Sequence, residues 1–359
     1  MVKIIAFHLP QFHPIPENDE WWGEGFTEWT NTKKCKPAYK GHYQPKEPLD
    51  NNYYNLLDKD ALLWQADLAK KYGIYGFCFY HYWFKGRQLL EKPLEIYLAN
   101  KDIDLPFCFS WANHSWTRTW VEKKDILLEQ TYGSLPDWEK HFYFLLPYFK
   151  DERYIKINGK PVFMFNRPLD FAEANNMIDR WDQLAVENGL TGIYFIETLS
   201  PFQTTGILKR TEALVEYEPT YTYNFLPFWY KVVKKLGTLT SHKVKPVFNS
   251  YSYFWHLIIN RKPLVTDKKL YPGAFVNWDN HARRPTAPII FLGFSLARFR
   301  SYMIKQIVRS KKVYHSEYLF INAWNEWAEG NTLEPDKKYK YGILEALQSA
   351  IKAAKSDGI

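Results

Sequence analysis

Short apolar runs alternate with amphipathic runs along most of the chain. The apolar runs at 2–9, 74–82, 105–111, 161–166, 192–197, 213–218, 274–278 and 318–324 have the length and the β-branched and aromatic content of strands. Helical spacing predicts helices over 60–71, 88–100, 138–149, 171–188, 295–310 and 341–355. A strand buried on both faces reads as continuous apolar sequence, and parallel strands need crossovers between them. Eight such runs in one alternation therefore predict an α/β fold of the (β/α)8 TIM-barrel type with long βα loops. An open doubly wound sheet would start with a Gly-rich first turn, whereas the first run ends in His8-Leu-Pro-Gln-Phe-His13. No repeat or linker divides the chain, so 1–359 reads as a single catalytic domain with insertions at about 14–57 and 219–272. The second insertion is loop-rich and aromatic, and no helix is predicted there.

In such a barrel the C-terminal ends of the strands and the loops after them form the active face. The polar and aromatic words of this sequence fall at those ends. His8, Gln11 and His13 follow the first run, and Tyr80, His81 and Trp83 end the second. Trp111, Asn113 and Trp116 follow the third, Asp279 and Arg283 the seventh, and Asn322, Trp324 and Asn325 the eighth. Trp22 and Trp29 lie in the first insertion. The histidines are candidates for sugar hydroxyls, and Trp22, Trp29, Tyr80, Trp83, Trp111 and Trp116 for stacking platforms. Asp279, Arg283 and Arg284 are candidates to grip a charged substrate group. The acidic word Asp102-Ile-Asp104 precedes the third run, at the opposite end of the barrel, and is set aside.

The strongest chemical signal is Trp324-Asn-Glu-Trp-Ala-Glu-Gly330. Cleaving a glycosidic bond takes one carboxylic acid to protonate the leaving oxygen and a second carboxylate as base or nucleophile. Glu326 and Glu329, three apart at a strand end and flanked by tryptophans, fit that pair. Partial desolvation and mutual repulsion raise the pKa of one of them, and Gly330 permits a tight turn.

Composition sharpens this reading. The chain holds 15 Trp, 26 Tyr and 25 Phe, more than a core alone needs, and flat rings stack on sugar faces or on nucleobases. The formal charge of +8 is concentrated at Lys231, Lys234, Lys235, Lys243 and Lys245 and over 298–312. It reads as a solvated basic face, or as one meeting an anionic glycan, a lipid diphosphate or an inner membrane surface. Cys35, Cys78 and Cys108 have neither disulfide-framework nor metal spacing and are expected as thiols. The first residues are too quickly polar for a signal peptide, and no apolar run is long enough to cross a bilayer, so a cytoplasmic location is expected. The expected partner is an oligosaccharide or lipid-linked glycan, with peripheral membrane contact, no nucleic acid, no metal and no cofactor.

Several long words resemble the WbsX-like proteins of bacterial surface-polysaccharide gene clusters. They are His8-Leu-Pro-Gln-Phe-His-Pro-Ile-Pro-Glu-Asn18, Trp21-Trp-Gly-Glu-Gly-Phe-Thr-Glu-Trp-Thr-Asn31, Tyr80-His-Tyr-Trp-Phe84 and Phe320-Ile-Asn-Ala-Trp-Asn-Glu-Trp-Ala-Glu-Gly330. That group is usually named as glycosyltransferases. It is also similar to glycoside hydrolase family 99, a (β/α)8-barrel family of endo-α-mannosidases and endo-α-mannanases, whose Asn-Glu-Trp-x-Glu-Gly word matches Asn325, Glu326, Trp327, Glu329 and Gly330. The resemblance implies a retaining mechanism through a 1,2-anhydro sugar, with Glu326 as base towards the substrate 2-hydroxyl and Glu329 as general acid/base. The first strand end departs from that family, so mannose specificity is not implied. Three readings follow: a retaining glycoside hydrolase or transglycosylase acting on a bacterial surface glycan, a glycosyltransferase of O-antigen or capsule assembly, and a non-catalytic glycan-binding barrel.

Overall fold

The computed structural model describes residues 1–118, 125–228, 230 and 246–356. Its centre is a barrel of eight parallel strands: β1 (Lys3–His8), β2 (Gly76–Phe84), β3 (Phe107–Trp111), β4 (Lys160–Phe165), β5 (Tyr194–Leu199), β6 (Ala213–Glu216), β7 in two pieces (Lys269–Tyr271 and Gly273–Phe275) and β8 (Tyr318–Asn322). Each strand pairs with the next in chain order, and β8 returns to β1 with Lys3 opposite Tyr318 and Ile5 opposite Phe320.

The seventh strand differs from the expected 274–278. Pro272 has no N–H for the ladder and divides it, so that 269–271 pairs with β6 and 273–275 with β8. A Cβ at Gly273 would stand 1.9 Å from the Glu216 carbonyl oxygen, so only glycine lets β7 pass β6 here.

Two short helices fill the first insertion, α1 (Pro16–Trp22) and α2 (Glu28–Lys34). The outer layer is α3 (Lys59–Lys71), α4 (Lys92–Ala99), α5 (Leu135–Lys150), α6 (Ala174–Glu187), α7 (Tyr251–Asn260), α8 (Leu296–Lys312) and α9 (Gly342–Ser356). α4 starts later than the expected 88, because 87–89 folds back antiparallel onto the end of β2. α7 was not expected in the second insertion. Its aromatic sequence has weak helix propensity, but Ser250 caps it by accepting from the Tyr253 N–H, and Tyr251, Phe254, Trp255 and Ile258 are buried. Packing outweighs propensity there.

The barrel interior is aromatic. Phe7 packs on Tyr80, Tyr217 and Phe320 with ring centroids 5.8, 5.1 and 5.9 Å away. All three cysteines are free thiols, and Cys78 and Cys108 are buried on paired strands. Among the described residues no helix is long and apolar enough to cross a membrane. The lysines between 231 and 245 lie outside the described residues, whereas the basic run 298–312 lies on α8.

Candidate active site

Past the end of β8 the chain makes a two-residue strand, Asn325–Glu326, which pairs with Asn331–Thr332, and a single 3-10 turn, Trp327–Glu329, joins them. Gly330 closes the turn at φ +61°, and a Cβ there would meet the Asp279 carbonyl oxygen at 2.8 Å. Glycine is needed on both counts. The Gly330 carbonyl accepts from Lys46 Nζ at 2.7 Å, and the Glu329 carbonyl accepts from the Asp279 N–H at 2.7 Å. The glutamate turn is thereby fixed to the β7 loop and to the first insertion.

This turn brings Glu326 and Glu329 to one guanidinium. Arg283 donates from Nη1 to Glu329 at 2.7 Å and from Nη2 to Glu326 at 3.1 Å. The same Nη2 donates to Glu28, in the first turn of α2. Three carboxylates thus share this guanidinium, and the charge of Arg284 acts on Glu329 as well. Burial pushes the Glu326 carboxyl up to about 8; Arg283 opposes this, and Glu329 and Glu28 add to it. Burial also raises Glu329, again against Arg283 and with Glu28 adding. The shorter Arg283 contact at Glu329 favours the ionised form there more than at Glu326, and the two carboxyls titrate as a pair. Arg283 is held protonated by its acidic neighbours, despite burial.

Tyrosines complete the cluster. The hydroxyls of Tyr80, on β2, and Tyr217, just past β6, lie 2.6 Å apart. Burial holds both far above the ordinary phenol range, and the charges of Glu326 and Glu329 add to this. Burial and the Glu326 charge raise Tyr82 as well. Tyr82 touches Trp116 at 5.3 Å, and Trp116 meets Trp21 at 5.6 Å, giving an aromatic wall beside the acidic group.

The other candidates separate by strand parity. Tyr80 and Tyr82 face inward, and His81 and Trp83 face the helices. His81 Nε2 meets His141 Nε2 of α5 at 2.7 Å, and Trp83 stacks on His141 at 4.4 Å. Trp111 is buried against the same histidine at 4.9 Å. His8 also faces outward, against Phe77 and Phe79, and bonds Gln65 at 3.0 Å; burial lowers it to about 3. His13 is buried on the Pro10 carbonyl and is lowered to about 4. These five side chains are not brought to the carboxylates. Trp29 packs on Phe12, Tyr53, Tyr54 and Trp327. Trp22 lies against Phe26, and Gln11 accepts the Glu28 N–H through its carbonyl, which seats α2.

The polar candidates do scaffolding. Asn325 accepts from the Leu9 N–H at 2.7 Å and donates to its carbonyl at 3.0 Å, tying β1 to the turn. Asn113 bonds the Arg167 N–H and carbonyl, and Asn322 donates to the Glu218 carbonyl. Trp324 is buried against Phe77. Asp279 accepts from His42 at 2.7 Å and Gln44 at 2.9 Å. Arg283 does not stand free to grip an anionic substrate, because it is committed to three carboxylates. Asp102 and Asp104 sit on the surface, paired with Lys59 and Lys70.

Glu28, Tyr82 and Tyr217 were not among the sequence candidates. Glu28 lies within the word 21–31, next to Trp29, but nothing in that word marks its carboxylate as buried.

The β8 end of this parallel barrel thus presents one buried and one half-buried glutamate on the face where TIM barrels carry their sites. The chain belongs to the family described as Glycosyltransferase WbsX, whose model matches residues 4–347. Two Xanthomonas campestris pv. campestris proteins, each called "Uncharacterized protein WxcX", from strains B100 and ATCC 33913, are 35% identical over 357 residues. The match takes in 98% of this chain and 50% of theirs, so the chain spans about half the length of these relatives. Among solved structures, a "Glycoside hydrolase-like protein" superposes with TM-score 0.58 at 14% identity, covering 97% of this chain and 93% of that one. The GH99 endo-alpha-mannosidase from Bacteroides thetaiotaomicron superposes with TM-score 0.55 at 13% identity, covering 99% and 98%. These likenesses establish the shared barrel fold.

Proposed function

We propose that the chain is a retaining glycoside hydrolase or transglycosylase acting on a bacterial surface glycan, free or lipid-linked. The observation that carries this reading is the convergence of buried Glu326 and half-buried Glu329 on one guanidinium at the C-terminal face of the barrel. Glu326, ionised in the substrate complex, takes the proton of the substrate 2-hydroxyl as O2 attacks C1. Glu329 gives its proton to the leaving oxygen as the C1–O bond breaks, which leaves a 1,2-anhydro sugar. Water, or an acceptor hydroxyl, then loses a proton to Glu329 and opens the ring at C1, and O2 recovers its proton from Glu326. Two inversions return the original configuration. The one proton the pair holds must sit on Glu329 in the reactive complex. A 2-hydroxyl donating to Glu326 and a glycosidic oxygen accepting from Glu329 favour that placement.

A second reading, a glycosyltransferase of O-antigen or capsule assembly, is favoured by the family's description. Against a nucleotide-sugar donor stands the commitment of Arg283 to three carboxylates, which leaves that guanidinium unable to take a diphosphate.

Incubating the chain with repeat-unit oligosaccharides of bacterial surface polysaccharides, with and without nucleotide sugars, decides between them. Product formed without a nucleotide sugar, of retained configuration by NMR, supports the first reading. Product formed only with a nucleotide sugar overturns it in favour of transfer. Tight binding without turnover in either mixture would leave a glycan-binding barrel.

A further inference from the structure

A hollow of about 470 Å³ lies behind the glutamate turn, between the strap 48–52 and the segment after β8. Its volume is in the range of small-ligand sites. Buried at its floor are Trp327, Tyr54 and Glu334. Glu334 accepts from the Trp327 indole N–H at 2.6 Å, the Tyr54 hydroxyl at 2.9 Å and Gln65 at 2.7 Å. Trp64 of α3, packed on Tyr54, stays partly exposed along the wall.

The rim carries Asp50, Asn51 and Asn52. Asp50 and Asn51 both have φ of 55°, a left-handed backbone that costs energy for any side chain, although least for Asn and Asp. The strap is held there by the Leu49 N–H on the Pro335 carbonyl and by a bridge between Pro48 and Asp336. Among the described residues, the side chains of Asp50, Asn51 and Asn52 and the indole N–H of Trp64 have no hydrogen-bond partner in the protein. An aromatic wall beside unpaired amides and a carboxylate is the chemistry that recognises a pyranose, whose apolar face stacks while its hydroxyls both donate and accept. Among the described residues, two acidic groups, Asp50 and Glu334, and no basic side chain line the hollow, which disfavours an anionic ligand.

We propose that this hollow is a second saccharide-binding site, selective for an uncharged sugar residue, which holds the glycan away from the bond being processed. The proposal rests on the glycan-processing reading above. The site shares Trp327 with the catalytic turn, since that indole lines the hollow and stands in the chain between Glu326 and Glu329.

Saturation-transfer difference NMR with the methyl α-glycosides of mannose, glucose, galactose and N-acetylglucosamine, and with methyl glucuronide as the anionic comparison, tests it. Glu326→Gln, Trp64→Ala and the double variant Asn51→Gly/Asn52→Ala, in which glycine keeps the left-handed backbone at residue 51, are compared with the parent chain. At least one neutral glycoside is expected to bind the parent and Glu326→Gln alike, about three- to tenfold more weakly after loss of the two rim amides, and not detectably after loss of Trp64. The rim amides are unpaired, so that double variant keeps the test valid if Trp64→Ala unfolds. The proposal is overturned if no neutral glycoside binds the parent, if binding survives both hollow variants unchanged, or if the glucuronide binds as well. Turnover of the full glycan is scored separately, so a chain that processes glycan without such binding loses this site and keeps its function.

Discussion

Nη2 of Arg283 lies 3.1 Å from Oε2 of Glu326 while also donating to Glu28. A nitrogen shared in this way gives Glu326 only part of a positive charge. Burial therefore dominates its titration and raises it to about 8, although a full counter-ion would lower it.

The first prediction concerns pH and rate. The glutamate pair needs one proton for leaving-group protonation, and in the free site that proton is lost as pH rises past about 8. kcat/KM should fall above that pH, because this quantity reports the free enzyme. Arg283→Met removes the charge that opposes burial, so the limb should move to higher pH while kcat/KM itself drops. A limb that moves down, measured by initial rates across pH, would contradict the assignment.

Stability should carry the same signature. A carboxyl whose folded pKa lies above its unfolded value binds its proton more tightly when folded. Its contribution is complete below about 4.5 and is lost as pH rises through the folded value, about 8 for Glu326. The Tm of the parent should therefore fall between pH 5 and 8.5, and Glu326→Gln should show a smaller fall. An equal fall in both, by calorimetry, would remove Glu326 from the account.

The outward-facing aromatics should behave as core. Trp111→Ala leaves a cavity beside His141 and should cost about 3–5 kcal/mol of stability. Near-normal KM is expected in the fraction that remains folded. A KM raised many-fold with Tm unchanged would put Trp111 in contact with substrate.

Leaving-group chemistry separates the two glutamates. A glycosyl fluoride of the cognate sugar needs little protonation to depart. Glu329→Gln should turn it over far better than the natural glycan, whereas Glu326→Gln should remain poor on both. The reverse pattern, from fluoride release rates, would exchange the two roles.

Much of this was legible in the sequence. The strand order, the C-terminal face and the glutamate pair follow from apolar runs ending in polar words. Parity was not legible. In β2 every position from Gly76 to Phe84 is buried, so no polar alternation distinguishes inward Tyr80 and Tyr82 from outward His81 and Trp83. α7 was missed because its residues favour strands locally and only packing against α8 and the barrel makes them helical. Glu28 was missed because its partner Arg283 lies 255 residues away, and no local spacing signals such a contact.

The most direct test is turnover of the cognate oligosaccharide by Glu326→Gln and Glu329→Gln, each checked for a parent-like fold by circular dichroism. Both should lose at least about 10²-fold in kcat while still binding the glycan. Parent-like turnover by either folded variant would show that the pair does not carry the chemistry.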